Sequence, residues 1–450
     1  MPRSLGGLFV VCLLATVCGG PSGAAPADTA DDIIARVLRE RAGSLPSAPA
    51  KPQNAGPSVG AKPKGPLPIV MSARIGEHDD RTRLVIELSD PVNLRTFTLA
   101  NPDRIVIDMP QVDWRLGAPP RPSGLSAIKS YRYGLFRTGN SRMVIDLNQP
   151  VTVGDTLVLP PSNGFGYRVV IDLFPTNSQK FQANAGWPAD LKAREAEAQR
   201  LAALVAEATR KAPESGGPST GGKKNVVIDP GHGGIDSGTS GVNGLLEKDL
   251  VLAEALKLRK ALASRGYHVR MTRESDVFIP LPERVAIARS FHADLMISLH
   301  ADSNPDSSVT GLSIYTLSDG RSDREAAALA RRENQSDIIA GVDLSGGNSP
   351  VAPILIDLTQ RDTMNRSSRF ASNALSELGG VTDILARSPH RSASLAVLVA
   401  PDVPATLIEL GYLSNQGDAD QMNTESWRKR VAEAIARAVD DYFGGRTARQ

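Results

Sequence analysis

Three stretches of this sequence end an apolar run in a residue that can hold a metal or move a proton. The first is Val226-Val227-Ile228-Asp229-Pro230-Gly231-His232-Gly233-Gly234, where a hydrophobic run stops at a proline and a glycine-rich turn presents one histidine. The second, LMISLHAD at 295–302, closes on His300 with Asp302 two residues on. The third, TLIELGY at 406–412, carries Glu409 near its end. Two histidines and one carboxylate with an open fourth position are the usual set for catalytic zinc. Glu247 can supply that carboxylate, because it opens a helical pattern directly after the flexible loop that follows His232. A zinc so held makes water nucleophilic near neutral pH and polarises a carbonyl. Glu409, near the metal but not on it, can take up the proton and deliver it to a leaving amine.

Each residue has a plainer explanation to weigh. His232 and His300 share a place just past a strand, and in α/β sheets ligands bind at the carboxyl ends of strands; that shared place favours ligation. Glu247 is equally well explained as a carboxylate at a helix N-terminus, and Glu409 as an ion-pair partner at a core edge. Asp302 reads as a hydrogen-bond acceptor behind a ligand rather than as a ligand. His78, His268 and His292 lack the strand-end setting and read as structural. A dinucleotide loop is excluded, since Asp236 stands where the third glycine of GxGxxG belongs. The run Asp236-Ser237-Gly238 has no second copy with which to form an aspartic dyad.

Strands and helices that alternate beyond residue 223 must position these groups. Apolar runs at 225–229, 268–272, 295–299, 312–316, 395–399 and 406–410 read as buried strands, and 247–264, 282–291, 361–378 and 426–442 as helices. The order predicts an α/β catalytic domain over 224–445 with a largely parallel twisted sheet flanked by helices. Upstream, 82–88, 104–108, 141–147 and 167–173 are β-branched runs bounded by turn residues, and three of them repeat an Arg-apolar-Asp pattern. They predict an all-β sandwich over 69–175. Residues 28–68 are a Pro/Ala-rich linker, and 176–223 a second linker that contains a helix at 188–211.

A chain of 450 residues with 41% hydrophobic and 22% charged residues has material for two domains plus linkers. A net charge of +2 and only 4% aromatics argue against nucleic acid as a partner. Residues 1–27 read as a secretory signal peptide: a basic start, an apolar run at 5–17 too short to anchor in a bilayer, then small residues, with cleavage expected between Ala24 and Asp28. The single Arg3 points to the general export route. Both cysteines, Cys12 and Cys18, fall inside the leader, so the exported chain has neither disulfides nor a thiol nucleophile. Val17 before Cys18 disfavours lipoprotein processing. No other run reaches spanning length, so no membrane span is expected in the mature protein.

With these residues in hand, a resemblance emerges. Asp229-Pro230-Gly231-His232-Gly233-Gly234, Leu246-Glu247-Lys248-Asp249, Ser298-Leu299-His300-Ala301-Asp302 and Glu409-Leu410-Gly411-Tyr412-Leu413-Ser414-Asn415 occur in the order and spacing of zinc N-acetylmuramoyl-L-alanine amidases, over roughly 225–443. The resemblance implies that His232, Glu247 and His300 bind zinc and that Glu409 is the catalytic glutamate. The bond cut would join the lactyl group of N-acetylmuramic acid to L-alanine of the stem peptide in peptidoglycan. Thr82-Arg83, Leu99-Ala100-Asn101-Pro102-Asp103-Arg104 and Ile105-Val106-Ile107-Asp108 resemble the AMIN domain, which places such amidases on septal peptidoglycan. The pairing is similar to the periplasmic cell-division amidases of Gram-negative bacteria, and implies a role in septal wall splitting and daughter-cell separation.

An insertion at 318–360, with a helix read at 324–337, interrupts the α/β order, and long insertions in compact domains are commonly functional lids. It resembles the regulatory helix of the division amidases, which blocks the zinc site until an activator of the degenerate LytM type displaces it. Glu333 is one candidate for the blocking residue; the alternative is a helix that merely packs on the domain edge. Two other functions use the same residues. A zinc peptidase would cut within the stem peptide by the same chemistry, and a non-catalytic wall-binding regulator would keep the fold while losing a member of the His232, Glu247, His300 and Glu409 set.

Overall fold

Each aspartate of the Arg-apolar-Asp repeat stands opposite an arginine of the neighbouring strand. Arg83 Nε and Nη2 each donate to Asp172 at 2.7 Å, Arg142 donates to Asp108 at 2.6 and 2.8 Å, and Arg104 stands opposite Asp146 in register. The strands that carry them are seen in a computed structural model that describes residues 65–116, 126–193, 223–318, 322–342 and 358–444, all within one compact unit, Pro52–Gln450. The expected leader with Cys12 and Cys18, residues 28–64 of the first linker, 194–222 of the second and 343–357 of the insertion lie outside the described residues.

The N-terminal domain contains β1 (Ile69–Glu77), β2 (Thr82–Leu88), β3 (Arg95–Leu99), β4 (Arg104–Pro110), β5 (Asp113–Trp114), β6 (Ile128–Arg137), β7 (Asn140–Leu147), β8 (Val151–Val153), β9 (Leu157–Leu159) and β10 (Tyr167–Pro175). They form two sheets, β5-β1-β2-β10-β8 with β9 on β10, and β3-β4-β7-β6. Thr82, Leu84, Ile86 and Leu88 of β2 face inward while the residues between them are half-buried, the alternation of a sheet with one covered face. With Ile105, Ile107, Met143, Ile145, Val169 and Ile171 they build the core, each large aliphatic contributing about 1.5–3 kcal/mol by leaving water. β4 and β7 do not alternate and are buried over 104–109 and 140–145, because the outer face of their sheet is covered as well. A short helix, α1 (Ser178–Asn184), follows β10; residues 189–193 are helical, and the rest of the helix expected at 188–211 lies outside the described residues.

In the C-terminal domain, β11 (Asn225–Pro230), β12 (His268–Met271), β13 (Leu295–His300), β14 (Ser313–Leu317), β15 (His390–Ala393) and β16 (Ala405–Glu409) are ordered β12-β11-β13-β16-β14-β15. Every neighbouring pair is parallel except β14 with β16. One face is covered by α2 (Glu247–Ser264) with two long C-terminal helices, Leu358–Leu378 and Glu425–Gly444, through Leu250, Leu258, Phe370, Leu378, Ile435 and Val439. The other face carries α3 (Leu281–Ser290) and α4 (Arg324–Glu333), through Leu281, Ala288, Leu329 and Ala330. Apolar residues on both faces of the central strands are what a doubly covered parallel sheet requires.

Two expectations are corrected. The apolar run at 395–399 is no strand: Ala396–Leu398 is a single 3-10 turn buried in the second core cluster, and the sheet-edge strand is the polar His390–Ala393 before it. The helix expected at 324–337 breaks after Glu333. There Asn334 donates to Ser394 O (2.9 Å) and accepts from Ala396 N (2.8 Å), and the chain restarts as α5 (Ser336–Ile339).

Candidate metal centre

β11 and β13 are parallel neighbours, so their carboxyl ends arrive at one place. His300 is the last residue of β13, and His232 follows β11 by two positions, with the ring centroids 4.9 Å apart and the planes at 72°. His232 has φ +56°, a left-handed conformation unusual for a side-chain-bearing residue and concentrated at functional sites. Two buried arginines hold that turn. Arg284 donates to Pro230 O (2.9 Å), His232 O (2.8 Å) and Asp229 Oδ1 (3.0 Å), and Arg273 to Pro230 O (3.0 Å) and Gly231 O (2.7 Å). Asp229, which also accepts from Thr272 and Ser298, is held below its usual range because Arg284 and these hydroxyls outweigh burial. A Cβ on Gly231 would overlap the His300 ring, so the close approach of the two segments requires glycine there.

Glu247 is the first residue of α2 and is 1% exposed. Its Oε1 lies 3.1 Å from His232 Nε2 and 3.2 Å from His300 Nδ1, and also accepts from Ala301 N at 2.9 Å. Its Oε2 accepts from Thr239 N at 2.9 Å. Glu409 ends β16 in register with His300. Its Oε2 accepts from Asp302 N at 3.0 Å, while its buried Oε1 has no hydrogen-bond partner. All four residues singled out in the sequence therefore meet at the carboxyl ends of β11, β13 and β16.

A fifth group enters from the insertion. Glu333, last residue of α4, points Oε2 at His300 Nδ1 (3.0 Å) and His232 Nε2 (3.5 Å). His232, His300 and Glu333 together form a group able to hold a metal. The stretch around Glu333 is fastened across the site. Arg332 pairs with Asp302, the Ser336 hydroxyl donates to Asp236, and Asp337 accepts from Leu281 N (3.0 Å). Under this cover the space beside the two imidazoles is about 10 Å³, lined by Glu333, Asn334 and Ser336 among others; that is room for about one water. The Asp302 carboxylate accepts from Ser303 N at 2.7 Å and pairs with Arg332 rather than with either histidine. Arg284, Arg273, Arg332 and Ser336 were invisible to sequence reading, since a charged or hydroxyl side chain in a helical run, or in a turn after a strand as Arg273 is, reads as solvated surface.

The donor set fits a small divalent ion. Nitrogen and oxygen atoms separated by 3.0–3.5 Å match the roughly 3.3 Å edge of a tetrahedron with bonds of about 2.0–2.1 Å. His232 Nε2 is buried and has no hydrogen-bond partner, while Nδ1 lies 2.9 Å from Asp236 Oδ2, the outer partner that fixes a ligating imidazole. Three carboxylates face two imidazoles. Burial pulls His232 down, but Asp236, Glu247 and Glu333 hold it well above its usual value; His300 is likewise pushed up to about 10, burial being outweighed chiefly by Glu333 and Glu247. Such an excess of negative charge favours a cation. Burial, reinforced by Asp302, pushes Glu409 well above the usual carboxyl range.

Comparison with known proteins gives a consistent picture. Residues 226–441 match the N-acetylmuramoyl-L-alanine amidase family, and residues 72–156 the AMIN domain. The chain is 35% identical over 381 residues to N-acetylmuramoyl-L-alanine amidase AmiC of Neisseria meningitidis serogroup B, covering 84% of this chain and 90% of that protein. It is 34% identical over 391 residues to AmiC of Escherichia coli O6:H1, covering 83% and 89%. AmiA of Escherichia coli K12 is 39% identical over 225 residues, 50% of this chain and 78% of that protein.

Proposed function

The chain belongs to the N-acetylmuramoyl-L-alanine amidase family, and we propose that it is a zinc enzyme whose metal is held by His232, Glu247 and His300. Its substrate is peptidoglycan, and the bond cut is the amide between the lactyl group of N-acetylmuramic acid and L-alanine. The observation that carries the metal set is the approach of Glu247 Oε1 to His232 Nε2 (3.1 Å) and His300 Nδ1 (3.2 Å) in a buried pocket.

When bound, zinc polarises the scissile carbonyl and makes water nucleophilic near neutral pH. Glu409 manages the proton. With Oε2 held by the Asp302 N–H, the free Oε1 is the atom that takes a proton up and returns it to the leaving amine. Burial favours the protonated carboxyl, which suits it to that second step. Asp236 keeps the His232 ring turned so that Nε2 faces the pocket.

Glu333 is the cover rather than a resident ligand. Both Glu247 oxygens accept backbone N–H groups, of Ala301 just past β13 and of Thr239 in the loop before α2, whereas Glu333 rides on the insertion. Glu333 occupies the space in front of both imidazoles, so the enzyme is closed until the insertion moves, and an activator of the degenerate LytM type is the proposed trigger. The AMIN match supports wall targeting at the septum, for wall splitting and daughter-cell separation in the periplasm after export by a 1–27 signal peptide. Among the described residues no helix is long and apolar enough to cross a membrane.

Zinc analysis of single variants tests the ligand set. His232→Ala, His300→Ala and Glu247→Ala are expected to lose the stoichiometric zinc of the parent, and Glu333→Ala to keep it. Zinc kept in Glu247→Ala and lost in Glu333→Ala would exchange the roles of the two glutamates.

A further inference from the structure

The four-stranded sheet of the N-terminal domain buries its outer face against the catalytic half. Phe97, Val106, Phe136 and Val144 pack with Trp187, Ile235, Phe278 and Ala340. Ile235 borders the histidine-bearing turn, and Ala340 caps α5 of the covering segment. The two backbones meet directly: Phe278 N donates to Leu135 O at 3.4 Å, and a Cβ on Gly134 would come 2.6 Å from Ile235 N.

Within this contact three arginines on three adjacent strands take consecutive carbonyls of one short stretch. Arg104 of β4 donates to Ile338 O, Arg132 of β6 to Ile339 O (2.6 Å), and Arg142 of β7 to Ala340 O (3.1 Å) and Gly341 O (3.0 Å). Trp187 Nε1 adds a bond to Gly341 O at 3.3 Å. These carbonyls lie at the carboxyl end of α5, where a helix leaves its C=O groups outward. The guanidinium groups are set in advance: Asp108 grips Arg142, Asp146 holds Arg132 at 2.6 Å, and the Phe136 ring lies 3.5 Å under Arg142. Charge-assisted bonds of this kind, largely shielded from water, are the stronger class.

The other end of the same stretch is tied to the metal site. Ser336 donates to Asp236, the partner of His232, and Glu333 reaches both imidazoles. One short run of chain therefore connects the arginine face to the histidines.

We infer that the N-terminal domain is a latch on the active site. Its three arginines hold residues 338–341 and so keep Glu333 on the metal centre; opening requires that the domain contact break as well as the Glu333 contact. The inference rests on Glu333 covering the site, as proposed above. It also gives a wall-targeting domain a second role, because whatever displaces residues 338–341 from the arginine face releases the active site.

Two variants of the full chain test it from opposite sides. Arg132→Ala removes one carbonyl contact and leaves the buried Arg142–Asp108 pair intact. Gly341→Val acts from the insertion, since Gly341 has φ +70° and even a Cβ there would come within 3.1 Å of the Val106 and Val144 methyls. Hydrogen–deuterium exchange of peptides spanning 334–342 is expected to quicken roughly tenfold in each, the scale of one charge-assisted hydrogen bond. Activator-free release of dye from labelled peptidoglycan should rise several-fold. Unchanged exchange and unchanged activity, with the N-terminal domain still folded, would overturn the latch, as would faster exchange with no gain in activity. Glu333→Ala serves as the reference. If it activates while the latch variants do not, the cover stands and the latch fails; if it does not activate, the cover itself is wrong.

Discussion

His300 and Glu409 stand opposite each other at the carboxyl ends of neighbouring parallel strands. The strand pairing, rather than a loop, fixes the distance between this imidazole and the carboxyl proposed above to manage the proton. Precision of this kind is expected where chemistry depends on placement. Glu409 is held by one backbone N–H and keeps one oxygen free, so on the mechanism proposed above its removal would take away proton transfer and leave the metal set whole. Glu409→Ala is expected to lower the turnover of an activated enzyme by roughly 10²–10⁴-fold while zinc content stays that of the parent. Zinc lost together with activity would make Glu409 a ligand.

Asp236 is expected to matter through His232. Its Oδ2 lies 2.9 Å from Nδ1 of that ring. Outer partners of metal-binding histidines typically change affinity by 10–100-fold when removed. Asp236→Ala should weaken zinc binding by about that factor in competition with a chromogenic chelator, with the fold retained by circular dichroism. Equal affinity in variant and parent would show that the Arg284 and Arg273 contacts to the turn are enough to orient His232.

Glu254 lies away from the chemistry, on α2, fully buried with neither carboxylate oxygen hydrogen-bonded. Burial pushes its carboxyl well above the usual range, against the pull of Arg428 and Lys257. A carboxyl with a raised folded-state pKa costs stability once pH exceeds its unfolded value, and costs nothing where it is protonated in both states. Glu254→Met should therefore stabilise the catalytic domain at pH 7 by about 1–4 kcal/mol, seen as a higher melting temperature. The gain should shrink as pH falls from 7 toward about 4.5, the unfolded value, and be gone below it. A melting temperature lowered at pH 7 would mean that the carboxylate has a stabilising role.

Pattern strength decided how much of this was legible in the sequence. The runs that became β2 and α2 could be read to their end residues because a β-branched run without helical period fills Thr82–Leu88 and an uninterrupted run of helix formers fills Glu247–Ser264. β15 went unread because HRSA is a polar edge strand, while the buried apolar turn beside it imitated one. β6 escaped for a related reason: in IKSYRYGLFR charged and glycine residues interrupt the apolar positions, and its partners rather than its composition make it a strand. At the site, His232 and His300 were legible from their shared place after a strand. Glu247 and Glu409 needed motif resemblance, since a lone carboxylate at a helix start or strand end has ordinary explanations. Glu333 was only one acidic residue in the charged helix REAAALARRE. Nothing local marks it; tertiary contact does. The same holds for Arg142, although the unbroken apolar runs around β4 and β7 were a sign that both faces of that sheet are covered.

The identity of the bond cut tests the central claim most directly. Purified peptidoglycan would be digested with the activated, zinc-loaded enzyme, and the released material analysed by mass spectrometry. The expected products are intact stem peptides beginning at L-alanine, together with glycan strands that retain the lactyl group and carry no peptide. Fragments cut within the stem, with L-alanine still attached to N-acetylmuramic acid, would contradict it and make the enzyme a peptidase.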